Sequence, residues 1–192
     1  LPRLCASEVV VVGVDPGLNG GVAAIHGNRV LGTARMPLWE YDGLEWVDGQ
    51  ELRSLFDGWR RHGPVHFWVE RCFGQARRST GPEFRFGSCY GAVLGELAGA
   101  VGCVHAVPYS KWQETILPGV SGRKNLKAAS VAWAKRRWPA ADLKPGRCTS
   151  PHDGIADALA LATYGQAMLT GTLHLHDAPP EPTVRRGPVH YR

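Results

Sequence analysis

The sequence has no long hydrophobic run and no cysteine pair. No apolar stretch of about 18 residues or more occurs in its 192 residues, so it offers no membrane-spanning helix. Its five cysteines (Cys5, Cys72, Cys89, Cys103 and Cys148) are odd in number, and none forms a Cys-x-x-Cys pair. Neither a zinc site nor a disulfide framework is therefore expected, and a reduced, intracellular protein is the simplest reading. No charged-then-apolar signal segment remains in these 192 residues. The chain starts at Leu1-Pro2 rather than Met, so a preceding segment is expected to have been removed or left out. A phosphate-binding loop is excluded around residues 119–124, because the Gly-Lys-Ser/Thr ending is lacking.

What is present suits one domain with a real core. Residues 1–170 carry the hydrophobic patterning, whereas residues 171–192 are Pro- and His-rich without periodicity and read as a flexible tail. The formal net charge is only +5, but residues 111–147 hold nine Lys or Arg against two acids, Glu114 and Asp142. Such a stripe is either a solvated face or a surface for a polyanion.

The chain opens on Val9-Val10-Val11-Val12-Gly13-Val14-Asp15-Pro16-Gly17. The β-branched run suits a central strand covered on both faces. Asp15 stands where it ends, and the glycines and Pro16 turn the chain into a second strand over residues 22–25. Asp15 is either a turn residue bonding its own backbone or a ligand. Residues 29–36 make a third strand, completing an antiparallel meander. Residues 38–49 read as a loop carrying Trp39, Tyr41 and Trp46. Asp48 with Glu51 forms a capping-box pattern ahead of Leu52, Leu55, Phe56 and Trp59 on one helical face. Residues 65–70 form another buried strand, again ending in an acid, Glu70. With a helix between them, the two strands can pair in parallel and set Asp15 beside Glu70.

Residues 71–85 are expected to form a basic, glycine-containing loop, with Arg71, Arg77, Arg78 and Arg85 interleaved with Phe73, Phe84 and Phe86. A helix follows with glycine at every fourth position (Gly87, Gly91, Gly95, Gly99), a ridge suited either to packing on its own sheet or to contact with a second subunit. Residues 102–107 form a fifth strand. Ser110 is expected to cap a short helix holding Lys111 and Trp112, and residues 124–138 a longer one bearing Lys127, Lys135 and Arg136. Pro151 is expected in the first turn of the last helix. Asp153 and Asp157 lie four apart on one face of that helix, ahead of the apolar run Ala158-Leu159-Ala160-Leu161-Ala162.

Asp15, Glu70, Asp153 and Asp157 are thus four acids at element ends. Crowded carboxylates raise one another's pKa, and hard divalent cations relieve that. Mg²⁺ takes oxygen ligands and keeps several waters. Two such ions roughly 4 Å apart can activate water and stabilise a leaving oxygen in phosphodiester cleavage, while basic residues neutralise flanking phosphates.

The order of parts resembles the RNase H-like fold, a five-stranded mixed sheet flanked by helices. Within it, Val12-Gly13-Val14-Asp15-Pro16-Gly17 resembles the first motif of RuvC-type Holliday junction resolvases, Val69-Glu70 the second, and Ile155-Ala156-Asp157-Ala158-Leu159-Ala160 the third. The resemblance implies that Asp15, Glu70 and Asp157 bind metal. The fourth acid departs from the bacterial spacing, whose place here is Gly154. Asp153, one residue earlier, resembles the spacing of phage and chloroplast relatives and is taken as the fourth acid, with His152 beside it as a candidate to assist. Phe73 matches an aromatic wedge for the junction. Lys111 and Lys124 resemble two lysines that contact DNA near the cut, with Lys127 and the arginines of residues 71–85 as further phosphate contacts.

The implied protein is a DNA-associated homodimer, joined through the Gly87 to Gly99 helix. It uses two Mg²⁺ ions per site, with Mn²⁺ as a substitute, and nicks a four-way junction symmetrically to leave 5′-phosphate and 3′-hydroxyl ends. Other readings are a nuclease of the same fold acting on flaps or hybrids, a non-catalytic junction-binding relative, and an actin-like phosphotransferase. The last would need a second glycine-rich phosphate loop and a larger chain.

Overall fold

The computed structural model describes residues 5–71, 80–100 and 102–172. β1 (Val10–Asp15), β2 (Gly21–His26) and β3 (Arg29–Arg35) form the expected meander. Its register sets Asp15 opposite Gly21, and Gly21 opposite Arg35. After a helix, α1 (Gly49–Arg60), strand β6 (Val65–Arg71) pairs in parallel with β1. Helix α2 (Thr80–Gly99) leads to β7 (Cys103–Pro108), which pairs in parallel with β6. The sheet order is β3-β2-β1-β6-β7. Helices α3 (Tyr109–Ile116), α4 (Arg123–Arg137) and α5 (Asp153–Thr170) complete the chain. Among the described residues no helix is long and apolar enough to cross a membrane.

The continuous valine run of β1 has its explanation in two cores. Val10, Val12 and Val14 face one, with Leu52, Phe56 and Trp59 of α1 and Val93 and Leu97 of α2. Val11 faces the other, with Trp112, Trp138 and the apolar residues of α5. A strand covered on both sides has no solvent face to make polar. Burying a Leu or Phe side chain contributes about 1.5–3 kcal/mol, so Leu52 and Phe56 anchor α1. Its start is fixed by Asp48, whose Oδ1 accepts from the Glu51 backbone N–H at 2.9 Å.

Helix α5 sits against β1 closer than ordinary side chains allow. A Cβ at Gly13 would fall 1.9 Å from the Ala158 carbonyl oxygen, and one at Gly154 would fall 2.4 Å from that of Asn19. Gly20 and Gly154 form an isolated β-bridge. Glycines on both partners thus clamp the start of α5 onto the turn that follows Asp15.

Several expectations need correction. Residues 38–49 are not a loop. They hold a hairpin, β4 (Leu38–Tyr41) and β5 (Leu44–Val47). Asp42 and Gly43 both take positive φ, 53° and 68°, the geometry that an Asp-Gly turn supplies. Residues 80–85, expected in the basic loop, belong to α2, so Arg85 is helical. Helix α3 begins at Tyr109 with Pro108 in the capping place and no side-chain cap, because the fixed φ of proline already sets the entry. The expected Ser110 cap lies inside the helix. Pro151 precedes α5, whose capping place is taken by His152. Helix α4 starts one residue early, at Arg123, and ends at Arg137. Phe73, Arg77 and Arg78 lie outside the described residues, as do residues 173–192.

Candidate active site

Asp15 ends β1, and Val14 pairs with Val69 of the parallel strand β6, so Asp15 and Glu70 leave the sheet side by side. The clamp between α5 and the β1–β2 turn adds Asp153 and Asp157, one helical turn apart. All four acids line one cleft of about 710 Å³.

Each carboxylate has a distinct set of partners. Trp112 of α3 donates its indole N–H to Glu70 Oε2 at 3.0 Å. The Ser130 hydroxyl of α4 donates to Asp157 Oδ1. Lys127, one turn earlier on α4, forms an ion pair with Asp153 Oδ2. The backbone N–H of Gly17 reaches Asp15 Oδ1 only at 3.5 Å, at the outer limit of a hydrogen bond. Asp15 is therefore not consumed by its own turn. Glu70 Oε1 and Asp157 Oδ2 keep no hydrogen-bond partner among the described residues.

This crowding shows in the acidities. Burial, and then the charge of Asp15, push Asp157 up to about 7 from an ordinary 3.8. Burial raises Asp15 and Glu70 as well, with the charge of Glu70 acting on Asp15 and that of Asp157 acting on Glu70. The Lys127 ammonium pulls Asp15 and Asp157 the other way, as does the Ser130 hydroxyl for Asp157 and the Trp112 indole for Glu70. Protons and one ammonium thus offset part of the negative charge.

The donor set fits hard divalent cations. It offers carboxylate oxygens only, poised where positive charge relieves both desolvation and mutual repulsion. Among the described residues no group of three His, Cys, Asp or Glu side chains is already arranged to hold one ion. Ions would be held between pairs of these acids, with waters and substrate oxygens completing each shell. That is how Mg²⁺ is commonly bound, through one or two carboxylates.

The remaining candidates divide. Arg71, Arg85 and Lys127 line the cleft. Lys111 is half-buried in the first turn of α3, between Tyr109 and Gln113, which line it. Lys124 is exposed on α4 and does not line the cleft; Arg123 and Lys127 do, four residues apart on the same face. His152 lines a neighbouring cavity, its Nδ1 buried without a hydrogen-bond partner among the described residues. Sequence reasoning missed Trp112 and Ser130 as carboxylate partners. Ser130 carries a helical signal, being three residues beyond Lys127 and seven beyond Arg123 on one face.

No protein-family model matches the sequence, nor does any curated protein sequence. Solved structures do match. RuvC of Thermus thermophilus in complex with Holliday junction substrate superposes with a TM-score of 0.54 at 19% identity, over 86% of this chain and 98% of that one. A second Thermus thermophilus RuvC structure gives 0.50 at 21% identity, over 85% and 97%. The chain thus has the fold of RuvC across most of its length, a mixed five-stranded α/β sheet with the RNase H-like strand order.

Proposed function

We propose that this protein is a divalent-metal-dependent DNA endonuclease that cuts four-way junctions. The observation that carries the reading is the convergence of Asp15, Glu70, Asp153 and Asp157, from two strands and a helix, on one cleft flanked by basic residues. The RuvC fold supports it, and the solved RuvC complex of that fold holds a Holliday junction substrate.

Bound Mg²⁺ would supply an activated water and charge stabilisation at the leaving oxygen. The chain's own residues do the rest. Asp15 and Glu70, held by the sheet, and Asp153 and Asp157, held by α5, would be the ligands. Trp112 and Ser130 fix one oxygen each of Glu70 and Asp157, and the other oxygen of each would serve an ion. Lys127 would exchange Asp153 for the phosphate next to the cut, and Arg71, Arg85 and Arg123 would neutralise flanking phosphates. Water adds to phosphorus, the P–O3′ bond breaks, and the leaving oxygen takes a proton. The products are a 5′-phosphate and a 3′-hydroxyl. A twofold dimer formed through α2 would present two such clefts and nick two opposed strands.

The test is cleavage of a labelled four-way junction against the matching linear duplex and a flap, with Mg²⁺ or EDTA, and with Asp15→Asn. Paired nicks on the junction alone, lost in EDTA and in the variant, are expected. Cutting of the flap instead would retain the metal site and discard the junction. Tight junction binding without cleavage under any of these conditions would make the chain a binding relative only.

A further inference from the structure

A second polar cavity of about 590 Å³ adjoins the carboxylate cleft, sharing Asn19 and Asp153 with it. Its walls bring together Arg35, the last residue of β3, and Arg147, in the segment between α4 and α5. Neither guanidinium has a hydrogen bond or ion pair among the described residues. The one carboxylate on the wall, Asp153, is engaged by Lys127. Thr149 and Ser150 add hydroxyls, and Asn19 an amide.

The cavity is built from anchored parts. Arg35 is held beside the Asp15 turn, because it pairs with Gly21 and the next N–H, that of Met36, donates to the Gly20 carbonyl at 3.0 Å. The Arg147 segment is fixed at both ends. Thr33 donates to the Asp142 carbonyl at 2.7 Å, and the His152 N–H donates to the Leu143 carbonyl at 2.8 Å. Leu143 is buried, and Lys144 Nζ donates to the Thr149 carbonyl at 3.2 Å. Two solvent-exposed guanidiniums, unpaired among the described residues, with hydroxyl and amide groups around them, suit an anion. Its size falls within the ~300–1,000 Å³ range of ligand clefts, which suits a stretch of strand rather than a lone ion.

We propose that this cavity seats a backbone phosphate of the bound DNA strand, next to the one that is cut, through Arg35 and Arg147. It deepens the nuclease reading and rests on it. A phosphate held here fixes the strand's register, and with it which phosphate lies over the four acids. Arg35 and Arg147 are positioning residues in this scheme.

The test measures binding to a four-way junction with Ca²⁺ in place of Mg²⁺, over a range of salt, for the wild type, Arg35→Ala, Arg147→Ala and the double variant. Single methylphosphonates are walked along the strand to remove one charge at a time. Arg147→Lys and thermal melts control for folding. Each alanine variant is expected to lower the salt slope by roughly one. One methylphosphonate beside the cut should weaken the wild type yet leave the double variant unaffected. Equal penalties for the wild type and the double variant at every position, or an unchanged salt slope, would overturn the proposal. A wild type that binds no DNA would overturn it too. Parallel assays in Mg²⁺ separate the two readings. Coupling at one phosphate without nicking keeps the cavity's role and ends the nuclease reading, whereas nicking without coupling does the reverse.

Discussion

Glu70 and Asp157 each have one oxygen held by a neighbouring side chain, Trp112 in one case and Ser130 in the other. Such supports to metal ligands are commonly worth about ten- to a hundredfold in metal affinity. Ser130→Ala should therefore weaken Mn²⁺ binding by about that factor, read by electron paramagnetic resonance on the DNA-free protein. Because the hydroxyl lowers the pKa of Asp157, the variant should also need a higher pH to bind the ion. Unchanged affinity and pH dependence would reduce Ser130 to packing. Acidity has a second consequence. Asp157 holds its proton up to about 7 when folded but only to about 4 when unfolded. Between those values the folded state binds more protons, so stability falls as pH rises. The melting temperature of the metal-free protein should drop from pH 5 to pH 8, and Mg²⁺ should restore it most at pH 8. A melting temperature that rises over this range without metal would contradict the crowding described.

At the scale of elements, the contact between α5 and β1 decides the geometry. Gly13→Ala would drive a methyl group into the Ala158 carbonyl and push the helix off the strand. The expected cost is about 1–3 kcal/mol or more in urea unfolding, together with loss of cleavage as Asp157 moves from Asp15. A fully stable, active variant would show the clamp to be slack. The acids at the strand ends were legible in the sequence because each closes an apolar run that admits one strand ending. Their supports were not. A tryptophan in a short helix reads as core, which Trp112 also is, and the place of Ser130 on the face of Arg123 and Lys127 gains its meaning only once α4 is laid against α5. The β4–β5 hairpin does carry a sequence signal: Trp39-Glu40-Tyr41-Asp42-Gly43-Leu44-Glu45-Trp46 alternates about an Asp-Gly turn.

At the scale of the whole molecule, the glycine ridge of α2 faces outward. A Cβ at Gly87, Gly91 or Gly95 would meet nothing within 4 Å, so these glycines do not serve packing on the chain's own sheet. Glycine costs a helix about 1 kcal/mol relative to good helix formers, and subunit contact is the use that would offset it. Gly91→Leu should leave the monomer folded, with a higher melting temperature, and give monomers by light scattering. Dimers that persist with full activity would place the interface elsewhere.

The pairing of Lys127 with Asp153 has a practical consequence. The protein carries a counterion of its own, tethered to α4, so stripping it with a chelator should not leave four bare carboxylates facing one another. Purification through EDTA should yield folded, reloadable material, and the same lysine is what an incoming ion would first have to displace.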